Sequence, residues 1–122
     1  MNAEDYQAIA DLTMEALGFP HIETRVKDIW GAGRFNPHYI TLPKWIGERG
    51  ETFETYYVIH EVCHYEAFTT GKPLDGWHNA DFKRLETRAL ALWGITIDRL
   101  RVYPKKLYLN GVSAYKKDDW EG

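Results

Sequence analysis

The chain has a single cysteine, no long apolar run and no Lys or Arg among its first residues, and each of these features argues against a class of protein. Cys63 alone cannot form an internal disulfide or a cysteine-rich zinc site, so any metal must be bound by His, Asp or Glu. No apolar run reaches the roughly 18 residues that a membrane-spanning helix needs. The first five residues include Glu4 and Asp5 and no basic residue, which is not the pattern expected of a secretory signal. We therefore expect a soluble, cytoplasmic protein without a membrane partner.

The composition is that of a folded protein. Of 122 residues, 44% are hydrophobic and 15% are aromatic, which is enough apolar surface to offset the entropy lost when a core is ordered. The length is that of one ordinary domain. We predict a single domain over residues 1–122, with a core at about residues 5–95 and a tail of β-type segments over residues 95–122.

The charge is unevenly distributed along the chain. Residues 1–82 contain six Lys and Arg against thirteen Asp and Glu, whereas residues 83–117 contain nine basic residues and only two acidic ones. A basic segment can bind phosphates, although a solvated helix face is the commoner outcome. The segment 83–117 is therefore a candidate nucleic-acid contact. Its basic residues are Lys83, Arg84, Arg88, Arg99, Arg101, Lys105, Lys106, Lys116 and Lys117.

The spacing of apolar residues predicts three helices and several short strands. Apolar positions recur at three- and four-residue steps over residues 4–17, 52–69 and 79–93, and the middle segment is apolar around most of its circumference. Residues 22–29 and 38–42 are typical of two strands that pair. In the tail, Asn110 and Gly111 favour a tight hairpin turn. The pattern indicates an α+β fold in which helices pack on a short β-sheet around a central helix.

A His-Glu-x-x-His motif lies midway along the predicted central helix. His60 and His64 stand one turn apart on the same face, so both imidazoles can reach one ion, and Glu61 can address a water bound to it. If the motif had no ligand, these polar groups would stand against a buried face at a cost of about 1 to 3 kcal/mol each. Zinc accepts neutral imidazole and leaves a position open for water. We predict a zinc site.

A catalytic zinc usually has three protein ligands, and the third must come from downstream. His78 lies at the junction between a loop and the next helix, and we favour it. Glu86 is an alternative ligand if that helix is rotated. Asp81 is a further candidate, and it could instead orient a ligating histidine from behind.

Two motifs and an upstream segment resemble the SprT-like zinc metalloproteases. The letters HEVCH at 60–64 and HNADF at 78–82 are similar to the His-Glu-x-x-His and His-Gly-x-x-Phe motifs of that family, with Asn79 in place of its glycine. The letters GRFNPHYITL at 33–42 resemble the family's glycine-arginine turn and following strand. The resemblance covers about residues 5–95. It implies a small zincin-like fold, zinc bound by His60, His64 and His78, and Glu61 as the general base.

The resemblance also implies an activity. A zinc metalloendopeptidase of this kind would hydrolyse peptide bonds through a zinc-bound water activated by Glu61, and its substrates could include DNA-associated proteins. The alternatives are a non-catalytic module that zinc stabilises for binding protein, and a DNA-binding adaptor whose basic tail is the working surface. A Glu61→Gln exchange separates the enzyme from the zinc-stabilised module, because zinc would stay bound in both and only the enzyme would lose hydrolysis.

The strand at 38–42 is a candidate substrate-binding element. An open strand edge can hold an extended peptide by backbone hydrogen bonds. We therefore expect Tyr39, Ile40 and Thr41 to contact a peptide substrate if this strand lies at the edge of its sheet. The alternative is an ordinary strand with partners on both sides.

Overall fold

The computed structural model describes residues 1–29, 34–35, 38–69, 80–100 and 106–113. These residues form an α+β structure of three α-helices, one short 3-10 helix and two three-stranded sheets, which confirms the predicted class. The elements in chain order are α1 (Ala3–Leu17), β1 (Glu23–Lys27), β2 (Arg34–Phe35), β3 (Tyr39–Pro43), the 3-10 helix (Lys44–Glu48), α2 (Glu51–Thr69), α3 (Ala80–Ala91), β4 (Ile97–Leu100), β5 (Lys106–Leu109) and β6 (Val112–Ser113).

The first helix has a defined start and end. The Asn2 side chain accepts a hydrogen bond from the Asp5 backbone N–H, and the Asp5 carboxylate accepts one from the Asn2 N–H, so two free donors of the first turn are satisfied. Gly18 ends the helix with a φ of 80°, in the left-handed region that glycine adopts without steric cost. The buried face of α1 packs against α2 and β1. The predicted helix and its glycine cap are confirmed.

The first sheet has the order β1-β3-β2, with β1 parallel and β2 antiparallel to β3. The predicted pairing of the two strands is thus confirmed. However, Ile40 pairs with Thr24 of β1 and Phe35 of β2, and Thr41 pairs with Arg25 and Arg34. The expectation that this strand is an open edge is therefore wrong at both residues, because β3 is the central strand.

The central helix α2 is buried along most of its length. Every residue from 53 to 64 is buried, and α2 contacts α1, α3 and the first sheet. An aromatic cluster holds its first half, in which the Trp45 ring of the 3-10 helix packs edge-on against Tyr57, with ring centres 5.6 Å apart. The Tyr6 hydroxyl of α1 donates to the Glu54 carboxylate at 2.7 Å. These contacts hold the 3-10 helix and α1 against the first half of α2.

The second sheet follows α3 and has the order β4-β5-β6. Asn110 and Gly111, with φ angles of 52° and 79°, connect β5 to β6 as a two-residue turn, which confirms the predicted hairpin. Leu107 and Leu109 of β5 belong to the same buried cluster as the helices. Trp93, just after α3, donates from Nε1 to the Thr13 hydroxyl of α1 at 2.9 Å. Among the described helices, none is both long and apolar enough to cross a membrane.

Candidate metal centre

His60, Glu61 and His64 lie in the middle of α2, at the level where α3 packs against it. Their exposed fractions are 0%, 2% and 5%, so all three polar side chains are removed from solvent. Burying such groups is costly unless each has a partner. The neighbours of each side chain therefore decide what the site can bind.

The two imidazoles turn the same ring nitrogen toward each other. Nε2 of His60 lies 3.1 Å from Nε2 of His64, and the ring planes are nearly perpendicular at 87°. Two nitrogens bound to one tetrahedral zinc, each about 2.0 to 2.1 Å from it, lie roughly 3.3 Å apart. The spacing of the two Nε2 atoms therefore fits a pair of ligands to one ion.

The other ring nitrogen of His60 has a carboxylate partner from the next helix. Nδ1 of His60 hydrogen-bonds Oε2 of Glu86 on α3, and both side chains are completely buried. The Tyr56 hydroxyl lies 3.4 Å from the same nitrogen. Because a carboxylate oxygen accepts, the proton of a neutral His60 is placed on Nδ1, and the Nε2 lone pair faces His64.

Phe82 of α3 forms an apolar wall over both imidazoles. Its ring stacks on His64 with centres 4.5 Å apart, and it lies nearly perpendicular to the His60 ring, with centres 5.3 Å apart. Phe82 is itself 2% exposed. One turn of α3 therefore supplies two kinds of contact, because Phe82 covers both rings and Glu86 hydrogen-bonds Nδ1 of His60.

Glu61 lies beside this pair in an apolar environment. Its Oε1 is buried and has no hydrogen-bond partner among the residues that the structure describes. Burial raises the pKa of Glu61 to about 7, while His60 acts to lower it and Glu86 to raise it. The carboxyl group can therefore be in either protonation state near neutral pH. A buried oxygen of this kind is suited to a small polar ligand such as water.

The three downstream candidates for a third ligand have different surroundings. His78 lies in the segment 70–79, outside the described residues, so its predicted role stays a prediction. Asp81 is exposed and binds Arg84 on its own helix, so its suggested support of a ligating histidine stays a prediction, whereas His60 has Glu86 as its carboxylate partner. In the described part of the chain, no set of three His, Cys, Asp or Glu side chains forms a metal site.

The three residues predicted to bind substrate do not form one exposed surface. Ile40 is completely buried and Thr41 is 7% exposed, so the side chain of Ile40 belongs to the core. Tyr39 is partly exposed, and its ring lies under the Arg25 guanidinium at 3.9 Å. With β3 paired on both sides at residues 40 and 41, a peptide cannot add to that strand there.

The basic segment is only partly described. Of its nine basic side chains, the structure describes Lys83, Arg84 and Arg88, all on α3. Arg84 and Arg88 are exposed, and Arg84 binds the Asp81 carboxylate. The predicted nucleic-acid contact therefore rests on the sequence for the remaining basic residues.

Sequence reasoning placed Glu86 among the candidates but not in the position that it takes. The signal was available, because Glu86 follows Phe82 by four residues and precedes Ala89 by three, on the buried face of α3. A glutamate on such a face needs a partner. The identity of that partner depends on how α3 is rotated against α2, which the sequence alone does not specify.

Comparisons with protein-family models, with curated proteins and with solved structures give no match for this chain.

Proposed function

We propose that the protein is a zinc-dependent metallopeptidase of the SprT-like, zincin type. The observation that carries the proposal is the 3.1 Å approach of the two Nε2 atoms of His60 and His64, beside the buried carboxyl group of Glu61. His60 and His64 would hold the metal, with His78 as the third ligand by resemblance. The arrangement fits zinc because neutral imidazole nitrogens are among its preferred ligands.

Zinc, when bound, would polarise a substrate carbonyl and make water a stronger acid. Glu61 would take a proton from the attacking water as oxygen bonds to the carbonyl carbon. It would then pass that proton to the amine nitrogen as the C–N bond breaks. Its position next to His60 in sequence, and the buried Oε1 without a described partner, support this role. Phe82 would keep bulk water from the imidazoles.

The substrate class follows from the chemistry and from the resemblance. Hydrolysis of an amide by such a site suits proteins and peptides. The basic segment 83–117 would allow proteins associated with DNA to be held near the site, because it can contact phosphates.

The first experiment is elemental analysis of the protein purified without added metal. We expect about one zinc per chain in the wild type, and much weaker retention in His60→Ala, His64→Ala and His78→Ala, since each removes a ligand. His38→Ala, a change at an exposed histidine outside the motif, is the matched control and should retain zinc. A wild type that binds no zinc even after reconstitution would overturn the proposal.

The second experiment separates an enzyme from a zinc-stabilised binding module. The module is the second candidate function, because the deep burial of all three motif side chains also suits a structural zinc site. Glu61→Gln should retain zinc but reduce cleavage by at least about 100-fold, because the general base is lost. Suitable substrates are an unfolded protein and a histone, each with and without DNA. Glu54→Gln, a buried glutamate on the same helix, should cleave like the wild type. Equal cleavage by the Glu61→Gln variant and the wild type would remove Glu61 from the reaction.

A further inference from the structure

We infer that Glu86 is a positioning residue for the metal centre, holding His60 so that its Nε2 points at the ion. The inference rests on the proposed function, since it assumes that His60 is a ligand. It assigns Glu86 a role distinct from those of ligand and general base. It also identifies α3 as the element that supports the metal ligands of α2.

The first argument is the position of the contact on the imidazole ring. Glu86 meets Nδ1 of His60, whereas the nitrogen that faces His64 is Nε2. The two ring nitrogens point in different directions, so the carboxylate lies behind the ligand. If Glu86 were the third ligand, its oxygen would be expected beside the two Nε2 atoms.

The second argument is the burial of the pair. Both side chains are completely removed from solvent, so an ionised Glu86 without a partner would be strongly destabilising. The N–H of His60 satisfies one carboxylate oxygen and fixes the tautomer in which Nε2 carries a lone pair. A carboxylate behind a ligating imidazole also increases the basicity of the ligand and limits its rotation.

The third argument is that α3 makes a different kind of contact with each histidine. Phe82 stacks on the His64 ring, and Glu86, one turn later, hydrogen-bonds His60. The ring contact sets the plane of one imidazole, and the hydrogen bond sets the orientation of the other. The geometry thus supports both predicted ligands before a metal is present, which lowers the cost of ordering them on binding.

The experiment measures zinc affinity by competition with a chelator in the wild type, Glu86→Gln and Glu86→Ala. Glu86→Gln keeps a hydrogen-bond acceptor but loses the charge, and Glu86→Ala loses both. We expect zinc affinity to fall by about 10- to 100-fold, with the alanine variant weaker than the glutamine variant. Glu54→Gln is the matched control, because it also replaces a buried carboxylate that accepts a side-chain hydrogen bond. It should change zinc affinity by less than about 3-fold.

A second measurement reads the hydrogen bond directly and does not depend on zinc. Nitrogen-15 NMR of the metal-free protein should show His60 protonated on Nδ1 in the wild type and in Glu54→Gln. The signal of that proton should be lost or displaced in Glu86→Ala, provided that circular dichroism shows the variant to be folded. If Glu86→Ala does not fold, the same comparison is made with Glu86→Gln, in which the proton should shift.

The outcomes separate this inference from the proposed function. A wild type without zinc overturns the proposed function, and this inference falls with its premise. A wild type that binds zinc, together with Glu86 variants that bind it equally well, overturns this inference alone. Loss of zinc in Glu86→Gln with full retention in His78→Ala would make Glu86 the third ligand, and would also overturn the positioning role.

Discussion

Buried glutamates on α2 and α3 occur in four different chemical environments. Glu54 accepts a hydrogen bond from a tyrosine, Glu86 accepts one from His60, and Glu61 has an oxygen without a described partner. Glu66 is 1% exposed, and burial raises its pKa to about 8 despite the opposing effect of Arg88. The same residue type therefore occurs in several environments, and these differences support the separate roles proposed for Glu61 and Glu86.

The raised pKa of Glu66 predicts a pH-dependent stability. Between pH 4.5, the ordinary pKa of a glutamate, and about pH 8, the folded protein retains a proton that the unfolded chain has lost. The free energy of unfolding must then decrease as pH rises through this window. Glu66→Gln removes the effect, because the amide stays neutral. From pH 5 to pH 9 we expect the wild type to lose about 1 to 3 kcal/mol more than this variant.

Urea unfolding of the metal-free protein in the presence of a chelator measures this difference. The exchange Glu48→Gln, at an exposed glutamate of the 3-10 helix, is the control and should follow the pH profile of the wild type. Parallel profiles of the wild type and Glu66→Gln would contradict the prediction.

At the level of elements, the sequence predicts what depends on local periodicity. The helices α1, α2 and α3 follow from apolar spacing, and the hairpin between β5 and β6 follows from Asn110 and Gly111. The two-residue strand β2 has no recognisable pattern of its own. Its pairing makes β3 central, and for this reason the open-edge expectation for Ile40 and Thr41 was wrong.

In the candidate site, too, the sequence predicts the features that depend on local spacing but not those that depend on helix packing. The shared face of His60 and His64 follows from their four-residue spacing on one helix, which the sequence gives directly. The contacts of Glu86 and Phe82 depend on the rotation of α3 against α2, which is set by packing across the whole core. Asp81 and Glu86 differ by five residues on one helix, so they face different surroundings, and only the packed structure shows which one is buried.

The turn between β5 and β6 gives a prediction at this scale. Gly111 has a φ of 79°, and Gly111→Ala would force an L side chain into that left-handed region. Although nothing lies within 4 Å of the added methyl group, the backbone conformation itself should cost about 1 kcal/mol of stability. Thermal unfolding should show a corresponding decrease in melting temperature.

Gly47→Ala in the 3-10 helix is the matched control for this turn. Its added carbon would meet only the Tyr6 hydroxyl at an ordinary 3.7 Å, and no positive φ is required there. We expect its stability to equal or exceed that of the wild type. Equal melting temperatures for both variants would show that the turn does not depend on glycine.

For the whole molecule, the uneven charge predicts how the proposed binding of nucleic acid would depend on salt. The net charge of −3 would repel DNA, but residues 83–117 contain nine basic residues against two acidic ones. Binding through this segment should weaken steeply as salt rises from about 50 to 200 mM, because each phosphate contact releases counterions. Lys83→Ala combined with Arg88→Ala should weaken binding and reduce the salt slope by up to about 2. Fluorescence anisotropy of a labelled duplex measures both quantities.

The control for this surface is Arg25→Ala, which removes a cation of β1 outside the basic segment. Its DNA affinity should equal that of the wild type, since Arg25 binds Glu23 and covers the Tyr39 ring. Binding that is independent of salt, or that Arg25→Ala weakens as much as the paired α3 variant, would contradict a contact through residues 83–117. In that case the basic residues of α3 would interact only with acidic residues of the same chain: Arg88 acts to lower the pKa of Glu66, and Arg84 binds Asp81.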